Sequence, residues 1–232
     1  MGFSRIALNS VYLGLPLFRS KKIKDYDFMV EQLDSKLAGW KSRTLSKAKR
    51  LVLTQSVVLA LPLYTMQTAK IPASICSKVD SCICSFWWDN TSNGGKSLCL
   101  KAWDAICKPK SCGGLGFCHM KDFNVAILSN WGWKILSGAS SFCLSILRAR
   151  YLHHTCFFDT PAKAGDSTFW KSVIASVSLL KEAACYMVGD GRSIDPWKDP
   201  WVPYAENFRP NLIYEVGVSN VRVKDFFPSQ GI

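Results

Sequence analysis

The chain has 232 residues, of which 48% are hydrophobic and 12% aromatic, and this composition excludes intrinsic disorder, collagen-like order and low complexity. At roughly 100–200 residues per domain, the length allows one large domain or two small ones, and excludes a polymerase with all its parts. With 29 basic and 17 acidic side chains, the formal net charge is +12. A polyanionic partner, either nucleic acid or an acidic membrane surface, would explain this charge, and a solubilising face is the alternative.

The charge is concentrated in the first two-thirds of the chain. Residues 1–72 carry a net charge of +8 and residues 73–158 a net charge of +5, whereas residues 159–232 carry −1. Ten basic side chains fall between Arg19 and Arg50. A cluster of this kind on a folded element is the usual electrostatic footprint of a polyanion-binding surface.

Apolar residues recur with helical spacing in the first part of the chain. The spacing predicts one helix near residues 25–39 and a second, more buried helix over 46–61, which Pro62 must end or kink. A third helix is predicted to begin near Pro72. One face of this third helix carries the apolar stripe Ile75, Cys76, Val79, Cys82, Ile83, Phe86 and Trp87. Core packing therefore explains Cys76 and Cys82 better than metal ligation does.

Two glycine-containing segments follow the third predicted helix. Residues 89–97 read as an exposed loop that ends in Gly-Lys-Ser, but Asn90 replaces the first glycine of a phosphate-binding loop. In residues 103–117, Pro109 and three glycines oppose regular helix and predict tight turns. The Gly-Gly-Leu-Gly string is interpreted as a requirement of backbone conformation and not as a phosphate cradle.

The remaining elements are predicted to be helices, with one hairpin. Helices are expected near 121–137 and 140–151, followed by a polar linker after residue 158 and a helix from Ser167 or Thr168 to about Ala183. Residues 185–194 resemble a β-hairpin, because the Asp190-Gly191 pair supplies the positive φ of a type I′ turn. The predicted fold is mainly α, with an irregular Gly/Pro-rich segment and a small C-terminal α+β piece.

The ten cysteines have no C-x-x-C spacing, and the N-terminal sequence lacks a secretory signal. We therefore expect free thiols in an intracellular protein, nuclear or cytoplasmic, that is not secreted. The longest apolar stretch, 51–64, falls short of the ~20 residues of a membrane span. A less favoured alternative is a zinc protein whose ligands are Cys107, Cys112, Cys118 and His119.

Six strings in this order resemble the plant LINE-type (non-LTR) retrotransposon reverse transcriptases. They are YLGLPL at 12–17, the WK-x-x-x-LS-x-A-x-R run at 40–50, SVVLALPLYTM at 56–66, FWW at 86–88, the W-x-x-IC-x-PK-x-x-GGLGF string at 103–117 and VGDGRSI-x-x-W-x-DPW at 188–201. The resemblance covers nearly the whole chain. One departure is Lys49, where the family usually has glycine.

The resemblance implies a middle fragment of a polyprotein, placed after the polymerase palm. Residues 1–90 would form a thumb-like helical bundle and 91–158 a helical connection. Residues 159–232 would lead toward a zinc-binding region and a ribonuclease H domain. The parent activity in this family is RNA-directed DNA polymerisation.

The carboxylates of that activity are not found in this sequence. Two-metal polymerisation uses an Asp-Asp pair of the palm, and the chain contains no Asp-Asp. The resemblance therefore implies no catalytic residue and no cofactor here, because Mg²⁺ would belong to the palm. For RNA cleavage, Asp89, Asp104 and Asp122 lack matched partners in the pattern and are interpreted as solvated acids.

A thumb grips the primer–template duplex through phosphates and does not read bases. The best candidates for this contact surround the turn between the first two helices, and a second group lies near residue 109: Lys41, Arg43, Lys47, Lys49 and Arg50, then Lys108 and Lys110. The partners would be an RNA–DNA or DNA duplex, together with the palm and downstream domains of the same polyprotein, and no membrane. A non-functional transposon remnant or a structural protein is the alternative. For Trp87, Trp88, Trp131 and Trp133, core packing is favoured over base stacking.

Overall fold

A computed structural model of the chain describes residues 11–12, 15–16, 23–41, 45–88, 99–153, 155, 157–197, 199–205, 208–210 and 221–226. These residues are mainly α-helical, which confirms the predicted fold class. Two compact units are present, one formed by residues 1–130 with 165–172 and the other by 131–164 with 173–232. The three functional regions drawn from the resemblance stay a prediction, since compactness does not test them.

The elements follow one another as two short strands and then helices. The two strands, at Val11–Tyr12 and Leu15–Pro16, pair antiparallel, with Val11 opposite Pro16. In chain order the elements are β1 (Val11–Tyr12), β2 (Leu15–Pro16), α1 (Asp27–Lys41), α2 (Lys47–Leu53), α3 (Leu63–Met66), α4 (Ala73–Trp88), α5 (Trp103–Cys107), α6 (Met120–Leu136), α7 (Phe142–Tyr151), α8 (Thr168–Ile174) and α9 (Val177–Ala183). Over the described residues, no helix has both the length and the apolar character to cross a membrane.

The core of the first unit is built by α1 and α4. Along α1, residues four apart turn to one side, so that Met29, Leu33 and Leu37 are buried together. The predicted stripe of α4 joins this core, and Cys76 is only 2% exposed within it. Both predicted helices are therefore confirmed, and so is the interpretation of Cys76 as a packing residue. Cys82 is half-buried against the same core.

The single helix predicted over 46–61 is wrong. Helix α2 starts after Ser46, whose side chain accepts a hydrogen bond from the Lys49 amide, and a π-helical turn replaces α-helix at Thr54–Val58. The Thr54 hydroxyl donates to the Arg50 carbonyl at 2.9 Å, a local bond of the kind that perturbs regular helix. Pro62 does not simply end this segment, because it immediately precedes the short helix α3.

The segment 103–117 contains one regular element that was not predicted. Helix α5 ends at Cys107, before Pro109, and the chain then turns tightly. Gly113 and Gly116 have φ values of +77° and +71°, which L side chains adopt only at a cost. A Cβ at Gly114 would collide with the backbone carbonyl of Lys108. The interpretation of this string as a conformational requirement is therefore confirmed.

Replacing Gly114 by alanine is expected to destabilise the first unit by about 2–3 kcal/mol, because the backbone at Lys108 must move to admit the new methyl group. Chemical denaturation measures this change. Gly39 is a matched control within α1, where an added Cβ meets no atom within 4 Å. Gly39→Ala should raise stability by roughly 0.5–1 kcal/mol. Equal effects of the two substitutions would contradict the steric argument.

The two later predicted helices lie near residues 140–151 and 167–183. Helix α7 confirms the first of them. The second is interrupted between α8 and α9, because both the amide and the hydroxyl of Ser176 donate to the Val173 carbonyl, at 3.0 and 2.7 Å. Arg148 stabilises the end of α6 by donating to the carbonyls of Ile135 and Ala139 at 3.1 and 3.0 Å.

The hairpin predicted over 185–194 is not observed, since residues 189–193 form bends and no strand is assigned over residues 184–194. Gly191 does have positive φ, at +65°. Its carbonyl, however, accepts from the Lys224 amide at 3.0 Å, and the Ile194 carbonyl accepts from Val223. The Ile194 carbonyl, which a hairpin would pair across its two arms, therefore bonds to a later segment of the chain, as does the carbonyl of the turn residue Gly191.

Candidate nucleic-acid interface

The C-terminal end of α4 is held by two cations from α2. The last carbonyls of a helix have no intrahelical partners and carry partial negative charge. Arg50 donates from Nη1 to the Phe86 carbonyl at 2.7 Å and from Nε to the Leu45 carbonyl at 3.3 Å. Lys47 donates from Nζ to the Trp87 carbonyl at 2.7 Å. The two basic side chains therefore satisfy groups that α4 leaves open.

The same two cations lie over aromatic rings. The Lys47 ammonium is 5.3 Å from the ring centroids of both Trp87 and Trp88, and the Arg50 guanidinium is 5.5 Å from that of Phe86. These distances are within the range of a cation–π interaction. Arg50 is only 8% exposed and is therefore part of the interior.

The tryptophans at the end of α4 belong to a small core, which we call the tryptophan cluster and define as Trp87, Trp88, Ile106 and Phe117. Leu51 of α2 packs against this cluster. Leu115 also packs against it, from the loop at residues 108–116, which we call the glycine-containing loop. Gln55 also donates from its side chain to the Leu115 carbonyl at 3.2 Å. Core packing is thus confirmed for Trp87 and Trp88. Members of both predicted basic groups, on α2 and on this loop, therefore lie on segments that pack around one cluster.

The seven predicted contact residues fall into three classes. Lys49, Lys108 and Lys110 are exposed in the first unit, and Lys47 is also exposed although its ammonium is bonded to the end of α4. Lys47 and Arg50 are engaged with α4, as described above. Lys41 ends α1, but its side chain lies outside the described residues, as does the whole of Arg43. Among the described side chains of this set, Lys49, Lys108 and Lys110 are therefore available to reach a phosphate without disturbing α4.

The glycine-containing loop uses its own amides internally. Consecutive backbone N–H groups donate to carbonyls of the same segment: Cys112 and Gly114 to Pro109, Gly113 to Lys110, Leu115 to Ile106 and Gly116 to Lys108. A phosphate cradle needs such donors to point at the ligand. Any anion binding here would therefore depend on the lysine side chains and not on the loop backbone.

A second cluster of polar side chains surrounds His119, next to the start of α6. Its Nε2 is 3.1 Å from a carboxylate oxygen of Asp104, and its Nδ1 is 3.7 Å from one of Asp80. The other oxygen of Asp80 accepts from the Met120 amide at 3.1 Å, which caps α6. Burial raises the pKa of Asp80 above its ordinary value. Asp104, predicted to be a solvated acid, is exposed but paired, and Asp122 is exposed.

The zinc site of the alternative hypothesis is not assembled among the described residues. Within the described parts of the chain, no three His, Cys, Asp or Glu side chains are grouped to hold a metal ion. Cys112 and Cys118 are exposed. Burial and the nearby carboxylate of Asp80 raise the pKa of the Cys107 thiol to about 12.

Trp131 and Trp133 differ from the tryptophans of α4. Trp131 is half-buried, and the Lys134 ammonium lies 5.2 Å from its ring centroid. Trp133 is 50% exposed, so the prediction of core packing is wrong for this residue. Helical spacing alone did not distinguish Trp133 from its neighbours, because apolar residues occur around much of the circumference of α6.

Comparison with known proteins identifies relatives in a plant. Over 145 residues the chain is 31% identical to the uncharacterized mitochondrial protein AtMg00310 of Arabidopsis thaliana, and the alignment covers 62% of the chain and 94% of that protein. The chain belongs to the family of this mitochondrial protein.

A longer relative matches more of the chain. The Arabidopsis thaliana protein At1g65750, provisionally named a ribonuclease H protein, is 31% identical over 193 residues. The alignment covers 81% of the chain, but the chain spans only 31% of the length of that relative. No family model and no solved structure matches the chain. The relatives are consistent with a retroelement origin.

Proposed function

We propose that this chain is a non-catalytic part of a retrotransposon reverse transcriptase, and that its basic helical region grips primer–template nucleic acid through phosphates. The ordered strings that resemble the plant LINE-type enzymes support this origin. The relative named a ribonuclease H protein supports it further, because the resemblance predicts a ribonuclease H domain in the same polyprotein. Polymerisation would be carried out by a palm elsewhere in that polyprotein, with Mg²⁺ held there.

The observation that carries the proposed grip is the position of three exposed lysines around the tryptophan cluster. Lys49 lies on α2, and Lys108 and Lys110 lie on the loop that packs against the same cluster. An RNA–DNA or DNA duplex would be bound by long side chains that reach phosphates and ignore base sequence. Lys47 and Arg50 would contribute indirectly, since they hold α2 against the end of α4.

The test is a charge-reversal experiment on the full chain. The triple variant Lys49→Glu, Lys108→Glu, Lys110→Glu should bind a fluorescent RNA–DNA duplex at least tenfold more weakly at 100 mM salt. The slope of log affinity against log salt should fall by roughly 2 to 3, because about 0.9 counterion is released for each phosphate contact. Fluorescence anisotropy at several salt concentrations measures both quantities.

A matched control distinguishes binding by these three lysines from a general effect of the net charge. Lys24, Lys36 and Lys181 are also exposed, and changing them to Glu alters the net charge by the same amount. This control variant should retain most of the affinity and the salt slope. If both triple variants lose affinity equally, binding follows net charge alone. If the first triple variant binds like the unmodified chain, the proposed grip is wrong.

A further inference from the structure

A pocket in the second unit is not used by the proposed phosphate grip. It encloses about 560 Å³, within the size range of sites for small organic groups. The lining residues come from the end of α6, the turn at Phe158 and the segment after α9: Trp133, Leu136, Ser137, Phe158, Ala184, Cys185, Tyr186, Met187 and Pro200. None of these side chains carries a full charge at neutral pH, so the pocket suits a neutral group.

From this lining we infer that the pocket binds an unpaired nucleobase of a single-stranded nucleic acid. Three of its side chains are aromatic, namely Trp133, Phe158 and Tyr186. Bases stack on aromatic faces, and this interaction tolerates any base because every base has a π face. The class of ligand rests on the proposed function, since a primer–template has unpaired template bases beyond its duplex.

The exposure of the lining residues supports a site that is open to a ligand. Trp133 is 50% exposed and Met187 is 96% exposed, so the apolar rim of the pocket is in contact with solvent. Placing a flat base there would remove apolar surface from water on both partners. Ser137 adds a hydroxyl to the lining, which could bond to the polar groups of a base.

The neutral lining decides which part of a nucleotide could enter the pocket. A base can enter it, whereas the attached phosphate would stay in solvent. A buried phosphate would instead need charged donors within the lining.

The experiment compares two fluorescent strands of equal length and charge, one with normal bases and one made entirely of abasic sites. The full chain should bind the strand with bases about tenfold more tightly. Trp133→Ala should remove this preference and leave the affinity for the abasic strand unchanged, while Trp133→Phe should keep part of it. Phe142→Ala is a matched control, because Phe142 is an 83% exposed aromatic residue of the same unit outside the lining.

Two outcomes would overturn the inference. Equal affinity of the unmodified chain for the two strands would mean that phosphates alone are bound, as would equal effects of Trp133→Ala and Phe142→Ala. A second probe does not depend on the proposed grip. Saturation-transfer NMR with free adenosine should give a signal with the unmodified chain and a loss of at least half with Trp133→Ala. The lysine triple variant should retain this signal, so a failed grip and a failed pocket are distinguishable.

Discussion

Asn124→Ala is expected to lower the free energy of unfolding by about 4 kcal/mol, which is a large part of the 5–15 kcal/mol typical of a domain. Asn124 is 1% exposed in α6. Its Oδ1 accepts from the Ile71 amide at 2.8 Å, and its Nδ2 donates to the carbonyls of Met66 and Ala69 at 2.9 and 3.0 Å. One side chain thus satisfies three backbone groups of the connection between α3 and α4.

The expected loss follows from the groups left behind. In the alanine variant, three buried polar groups of the connection have lost their hydrogen-bond partner. Each such unpaired group lowers the free energy of unfolding by about 1–3 kcal/mol. The connection also orients α4, whose apolar stripe builds the core of the first unit. Equilibrium denaturation followed by circular dichroism and by tryptophan fluorescence measures the change.

Asn130 provides the matched control. It is the same residue type on the same helix, but it is exposed. Asn130→Ala should change stability by no more than about 0.5 kcal/mol. A loss of less than 1 kcal/mol in Asn124→Ala would mean that water or a rearranged backbone replaces the amide, and the structural role assigned to Asn124 would then be wrong.

Arg50→Met is expected to cost about 3 kcal/mol, the second largest effect. The substitution keeps much of the apolar volume but removes the charged donor to the Phe86 carbonyl and the bond to the Leu45 carbonyl. Hydrogen bonds to charged groups contribute about 1.5–3 kcal/mol, and a cation at a helix C-terminus adds a further favourable interaction. Thermal and urea denaturation of the full chain measure the loss.

A substitution at the neighbouring Lys49 distinguishes the structural role of Arg50 from a phosphate contact. Lys49→Met removes the same charge one residue earlier on α2, where the side chain is exposed, and should leave stability within about 0.5 kcal/mol. We expect Lys49→Met to weaken duplex binding and Arg50→Met to weaken stability. The reverse pattern would place Arg50 at the nucleic acid and would contradict its assignment to the end of α4.

Several elements of the fold were predictable because their signals are local. The stripes of α1 and α4 repeat at helical spacing, and each buries one face as the spacing requires. Helix α7 was predicted for the same reason. The failures also have local causes that periodicity does not encode, since hydroxyl-to-carbonyl bonds at Thr54 and Ser176 accompany the breaks in two predicted helices. Apolar periodicity continues across such a break, so it cannot locate one.

The candidate interface was only partly predictable. The sequence identified a cluster of basic residues, but it treated Lys49 and Arg50 as equivalent. Their difference depends on where α2 meets the end of α4, 36 residues away from Arg50 along the chain. The exposed position of Trp133 depends likewise on which neighbours pack around the end of α6. Such pairings arise from tertiary packing and leave no trace in local spacing.

By itself, the sequence determined the helical class, the main helices of the first unit and the ordered strings that resemble one enzyme family, because these depend on residue order and short-range spacing. Only the tertiary structure decided the partners of individual polar residues. Asn124 contacts backbone groups that lie 53 to 58 residues earlier, and nothing near it in the sequence signals this role. Burial turns such polar groups into structural residues, since an unpaired donor or acceptor in the interior costs more than a solvated one.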